Sequence, residues 1–216
     1  MYFDFHHHSI NSNGIKNIRI GISEELPGEN SWFSAGIHPW DIEDLEISQS
    51  LKSLSSLLIN KHCVALGELG IDKNFGTNLD LQIQVFRAQV ALAEEYQKKV
   101  LIIHCIKAFQ EMIEEKKRRS NDFIWVLHGF NGSRELIQQL LDQGFYFSVG
   151  ALLFQEKAKI SKHLQHIPLE RLFIESDQSS IGIKDIYSRV AQLLKMDRKD
   201  LNRKIEQNLK QILSRN

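Results

Sequence analysis

The stretch MYFDFHHHSI places three histidines in a row at residues 6–8. Such a run reads as the stub of a purification tag, as chance, or as two metal ligands flanking a bystander. Tyr2, Phe3 and Phe5 just before it predict a short buried strand. Alternate side chains of a strand share a face, so Asp4, His6 and His8 should point one way and His7 the other. His7 is then an outward-facing bystander, and Asp4 orients a ligand or caps the floor beneath it. More polar residues close apolar runs downstream: His38 in GIHPW, Glu68 in GELGID, His104 in LIIHC, His128 in WVLHGF and Asp177 in IESD. Mixed imidazoles and carboxylates suit zinc, manganese or a mixed pair. The set exceeds what one tetrahedral ion needs and suits two divalent ions (Zn, Mg or Mn) sharing a bridging carboxylate, with Glu68 placed for that bridge.

The elements that must position these groups alternate along the chain. After the first strand, apolar runs over 15–22 and 32–37 predict strands, with a turn-rich segment between them. Residues 45–60 carry helical spacing, 62–70 a fourth strand, and 79–99 the strongest helix, striped by Leu81, Val85, Phe86, Val90 and Leu92. Strands follow at 100–105, 122–130, 145–150 and 171–177, with helices at 108–119 and 133–144 between them and two more at about 183–195 and 198–213. Gly144 is the expected C-cap of the 133–144 helix. Eight strands mostly alternating with helices predict a parallel α/β fold, the (β/α)8 TIM barrel, over a single domain of residues 1–216. The first third is reduced, because no helix fits between strands 1 and 2. In such a barrel the active site lies at the carboxyl ends of the strands, where the polar residues above are found.

Composition narrows the class. With 27 basic and 27 acidic residues the formal charge is zero, which argues against a surface built for tight, nonspecific duplex binding. KKRRS at 116–120 reads as a solvated helix end, where cations meet the helix dipole. Cys63 and Cys105 lie in apolar runs and read as reduced core thiols of a cytoplasmic protein. No apolar run approaches a membrane span, no leader pattern opens the sequence, and a monomer is favoured. The turn GFNGS at 129–133 either offers backbone donors to an anion or is a plain helix entry with Ser133 as N-cap.

The ordered motifs DFHHHS, GIHPW, GELGID, QVFRAQVALA, IHC, LHGFNGS and ESD resemble the TatD family of metal-dependent hydrolases, over nearly the whole chain. That resemblance implies a TIM barrel of the amidohydrolase superfamily and a two-metal hydrolase, deoxyribonuclease activity being reported for several members. It implies that His6 and His8 bind one ion with Asp177, that His104 and His128 bind the second, and that Glu68 bridges them. His38 would contact phosphate, and Lys107 joins it as a substrate-binding candidate. Three departures touch substrate loops and no ligand: HCIKA replaces the Arg and Asp that often follow the strand 5 histidine, QSSIGIKD replaces a Pro-Tyr segment and longer basic loop after Asp177, and the first helix is missing.

The expected reaction is phosphoester hydrolysis, with single-stranded DNA as a candidate substrate. Asp177 would take a proton from the attacking water, assisted by Glu68 in the metal bridge, while His38 meets charge on the phosphoryl oxygens. An amidohydrolase cleaving a C–N or C–O bond of a small molecule is the alternative. Carboxylated lysine is the usual bridge in many such enzymes, and Glu68 stands in that place here. A non-catalytic metal-binding barrel is the third reading, motivated by the trimmed loops.

Overall fold

The computed structural model describes residues 2–215 except 10–12, 23–25, 27, 29, 30, 120 and 121. Eight strands follow one another in one sheet in chain order: β1 Asp4–His7, β2 Gly14–Arg19, β3 Trp32–Gly36, β4 Cys63–Asp72, β5 Val100–Ile106, β6 Ile124–Leu127, β7 Tyr146–Val149 and β8 Leu172–Ile174. The helices are α1 Ile47–Leu58, α2 Leu79–Glu95, α3 Phe109–Lys117, α4 Arg134–Asp142, α5 Lys159–His163, α6 Ile183–Leu194 and α7 Arg198–Leu213. The expected strands and long helices are all present, most with ends shortened by one to several residues, while β4 and β5 run on to Asp72 and Ile106, past their expected ends at 70 and 105. Short helical turns at Ala151–Phe154, Leu164–His166 and Leu169–Arg171, together with α5, fill the β7–β8 connection where no helix was expected. Three- and four-residue turns carry no periodicity for a sequence window to detect. No helix among the described residues is long and apolar enough to cross a membrane.

The chain divides into two compact units, a continuous one over Lys16–Trp125 and a discontinuous one joining Met1–Ile15 to Val126–Arg215. In the continuous unit β3, β4 and β5 pair in parallel. β4 carries one extra residue: Gly67 stands opposite Ile102 and Leu69 opposite Ile103, so Glu68 has no partner of its own. Such a bulge turns a side chain out of the alternating pattern. Gly67 and Gly70 flank it with φ of 151° and 157°. A Cβ on Gly70 would lie 1.8 Å from the His104 carbonyl oxygen, so only glycine lets the two strands approach there. The inner face of α2 is Val85, Phe86, Val90 and Ala93 with two buried glutamines, whereas Leu81 and Leu92 are only half-buried.

Those glutamines grip the strand ends that lead into the site. Gln82 accepts the Asp72 N–H at 2.8 Å and donates to the Asp72 carbonyl at 3.1 Å. Gln89 treats Ile37, the residue before His38, in the same way, at 2.7 and 3.1 Å. A buried backbone group left without a partner would cost about 1–3 kcal/mol, and each amide here satisfies two. Lys116 departs from the expected solvated helix end: it is buried, with Nζ 5.6 Å from the Trp125 ring centre. A long aliphatic stem lets the ammonium settle on an aromatic face.

In the discontinuous unit β6, β7 and β8 pair in parallel, and β1 meets the chain just past β8. Phe5 stacks on Phe173 at 4.3 Å, and the buried Tyr187 of α6 donates its hydroxyl to the Phe3 carbonyl at 2.9 Å. Gly144, at φ 75°, closes α4 as expected, its N–H and that of Phe145 bonding back to Leu141 and Leu140. Ser133 caps α4 by accepting the Leu136 N–H at 3.4 Å, which is the plain helix-entry reading of GFNGS.

Candidate metal centre

β1 spans Asp4–His7 and His8 follows it directly. His6 is fully buried and the His8 side chain is 21% exposed, so the two ligand candidates stand at different depths. His7, expected to face away from the other two, is also buried. A parallel sheet covered by helices buries both its faces, so pointing away from the site does not mean reaching water. Asp4 is fully buried and accepts the Ser176 N–H at 2.9 Å and the Ser176 hydroxyl at 2.5 Å. It thus fixes the segment between Glu175 and Asp177.

That segment continues the sheet beyond β8. Glu175 donates its N–H to the Val149 carbonyl at 3.0 Å, Asp177 donates to His6 at 3.0 Å, and His8 donates to Asp177 at 3.4 Å. Asp177 sits at φ 53°, a region that aspartate tolerates better than most residues, and its side chain is 42% exposed. Its Oδ1 lies 3.3 Å from His8 Nε2 and 3.8 Å from His6 Nε2. The His128 ring stands 4.6 Å from that of His6. One ligand atom from each of His6, His128 and Asp177 falls within 4.8 Å of the others, a spread that one ion could span. Two imidazole nitrogens and a carboxylate are a donor set for zinc or manganese.

The continuous unit holds a second set. Glu68 Oε1, projected from the bulge, lies 2.8 Å from His104 Nδ1 and 3.0 Å from His38 Nε2. Ligand atoms of these three buried residues also fall within 4.8 Å of one another. The two rings differ in what holds their far nitrogens. His104 Nε2 lies 3.2 Å from Asp72 Oδ2, so as a donor it leaves the Nδ1 lone pair turned to Glu68. His38 Nδ1 instead accepts the Trp40 N–H at 3.2 Å, so its Nε2 carries the proton of the neutral ring. Burial, partly opposed by the hydrogen bond and charge of Glu68, lowers the His38 pKa and keeps that ring neutral. His104 is therefore oriented as a ligand and His38 as an N–H donor. The grouping places His128 with His6 and Asp177, and His38 with Glu68 and His104. Lys107, at φ 53°, is exposed.

Three residues of the site escaped the sequence reading. Asp72 is buried, which would raise its pKa, yet the Trp40 indole N–H at 2.8 Å, the Asn74 N–H at 2.8 Å and His104 hold it below the usual carboxylate range. Trp40 packs edge-on to His38 and His104, at 4.7 and 5.5 Å between ring centres. Glu175 is 1% exposed, accepts the Gly129 N–H through Oε1 at 2.5 Å, and lies 3.5 Å from His128 Nδ1. With Asp177, Gly129, Gly150, Gln155 and Gln178 it lines a cavity of about 210 Å³. Each carboxylate shares a motif with a noticed ligand, Asp72 following Glu68 in GELGID and Glu175 preceding Asp177 in IESD, and that adjacency was the available signal.

The family model described as TatD related DNase matches residues 19–214. The chain belongs to the TatD family. It is 31% identical, over 74% of its length, to the 3'-5' ssDNA/RNA exonuclease TatD of Citrobacter koseri, of which it covers 62%. It is 32% identical, over 66% of its length, to a metal-dependent hydrolase named YabD from Bacillus subtilis, of which it covers 56%. The chain thus spans less than two thirds of the length of these relatives. Among solved structures, the TatD homologue YjjV of Escherichia coli superposes with a TM-score of 0.82 at 18% identity, covering 98% of this chain and 97% of that one. This likeness shows the fold, a (β/α)8 barrel, as the sequence predicted.

Proposed function

We propose that the chain hydrolyses phosphodiester bonds of single-stranded nucleic acid, using divalent ions (zinc, magnesium or manganese) held by two donor sets. The observation that carries this reading is that each unit contributes a compact His/carboxylate set: His6, His8, His128 and Asp177 in one, Glu68 and His104 in the other. The exonuclease name of the Citrobacter koseri relative supports nucleic acid as the substrate class. Ions bound there would supply a Lewis acid for the phosphoryl group and make water acidic enough to react near neutral pH.

The remaining steps belong to side chains. Asp177, partly open to solvent, takes the proton of the attacking water at Oδ1, with the His8 ring 3.3 Å away to steady the carboxylate. His38, neutral and anchored through Nδ1, donates its Nε2–H to a phosphoryl oxygen as negative charge gathers there. Asp72 holds the His104 tautomer, and Glu175 faces the nitrogen of His128 that would otherwise be free to turn. Free, buried Cys63 and Cys105 support a reducing, cytoplasmic compartment.

The test is metal analysis of the purified protein together with hydrolysis of single-stranded DNA and of bis-p-nitrophenyl phosphate, each with Mg²⁺, Mn²⁺ or Zn²⁺. Bound metal with no phosphodiester cleavage under any of these ions would refute the reading. Cleavage of amides or carboxylic esters instead would move the enzyme to the amidohydrolase reaction.

A further inference from the structure

We infer that Phe75, backed by Trp40, is a stacking platform for an unpaired nucleobase of the strand whose phosphate is held beside His38 and His104. This deepens the phosphodiesterase reading and rests on it.

Trp40 and Phe75 are large aromatic side chains that remain 40% and 42% exposed. Their rings stack on one another, 5.7 Å between centres and 22° from parallel. Phe75 lies in the connection between β4 and α2, just past the carboxyl end of the strand that carries Glu68 and Asp72. Loops in that position build substrate sites in this fold class. Trp40 is not a loose surface ring. Its indole N–H is donated to Asp72, its edge meets both site histidines, and Arg19, held by a two-point pairing with Asp41 at 3.0 and 2.5 Å, stands 6.0 Å from its centre. The stack is therefore tied, through Asp72, to the carboxylate that orients His104.

Leaving two apolar rings in water has a cost that deeper packing of Phe75 would remove. A rigid aromatic face beside a phosphate site has a ready occupant in a single strand, because every base offers a π-face. Paired bases are stacked within a duplex and cannot use it. The platform thus selects unpaired ends and tolerates any base. An aromatic side chain of a protein partner could use the same face, but it brings no phosphate for His38.

The experiment is fluorescence anisotropy of a labelled short oligodeoxythymidylate, and of the same strand with abasic residues, on the full chain in chelator. Wild type should bind the thymidylate strand more tightly than the abasic one by about 5- to 150-fold per stacked base. Phe75→Ala, and Phe75→Leu which keeps apolar bulk, should weaken thymidylate binding over the same range and leave abasic binding unchanged. The wild-type comparison needs no variant, so it stands even if a variant folds poorly. Equal wild-type affinity for the two strands, no binding of either, or equal losses on both in Phe75→Ala would each overturn the platform. Cleavage assayed separately with Mn²⁺ keeps the two proposals apart: base-dependent binding without cleavage retains the platform and removes the reaction, and cleavage with base-blind binding does the reverse.

Discussion

Glu175 Oε1 accepts the Gly129 N–H at 2.5 Å and lies 3.5 Å from Nδ1 of His128, tying the carboxylate after β8 to the histidine after β6. A carboxylate behind a ligating imidazole fixes its orientation and raises its basicity. Glu175→Gln keeps the shape and removes the charge. Mn²⁺ affinity, measured by calorimetric titration, should fall by about 10- to 100-fold. Wild-type affinity in the variant would leave Glu175 a structural residue only.

Asp177→Asn tests the proton acceptor. The amide keeps the volume but neither the charge nor the basicity, so kcat should drop by roughly 10²–10⁴. Metal at Glu68 and His104 should persist. A variant that folds, retains that metal and turns over at the wild-type rate would take Asp177 out of the mechanism.

The three adjacent histidines should separate cleanly. His6→Ala and His8→Ala should lose metal. His7→Ala should keep it, at a stability cost, since His7 is buried. Loss of a buried side chain costs about 0.5–3 kcal/mol, and each kcal/mol lowers Tm by roughly 2–4 °C in a chain of this size. Equal metal content in all three variants would count against a site at this run.

How much of this could be read beforehand differs between elements. Strands that end in a lone polar residue were visible, because an apolar run stopping at His104 or His128 is a local pattern. Glu68 was visible too, but its bulge was not, since alternation assumes one residue per rung. The burial of Lys116 and of Gln82 and Gln89 depends on what lies across a helix face, which no window along the chain contains. Glu175 sat two residues from Asp177 in the same motif, and only the meeting of β6 with β8's extension gives it a partner.

The two thiols should be silent in the native protein. Burial pushes Cys63 up to about 11 and Cys105 up to about 12, so both are protonated at neutral pH. A thiol-specific disulfide reagent at pH 8 should label neither until denaturant is added. The sign for stability follows: the unfolded thiols ionise first as pH rises past about 9, so their contribution is intact below that and is lost on the alkaline side. Fast labelling of either cysteine in the native state would contradict the packing around it.

Charge balance predicts the salt response. With no net charge, the chain should hold a single strand through few phosphate contacts. The log–log slope of affinity against salt should be shallower than about −4, the value for roughly six neutralised phosphates on a single strand. A steeper slope would reveal a basic track that the sequence conceals.

The discontinuous unit takes its first strand from residues before 16 and the rest from residues after 125. On the ribosome, then, the His38–Glu68–His104 set can assemble from an unbroken stretch as soon as β5 has emerged. His6 and His8 must wait for Asp177 through more than 160 further additions. A chain arrested in between would carry the first donors without their carboxylate. The last-formed donor set thus reports that synthesis has passed residue 177, and the hydrolysis proposed for it could not begin before that point.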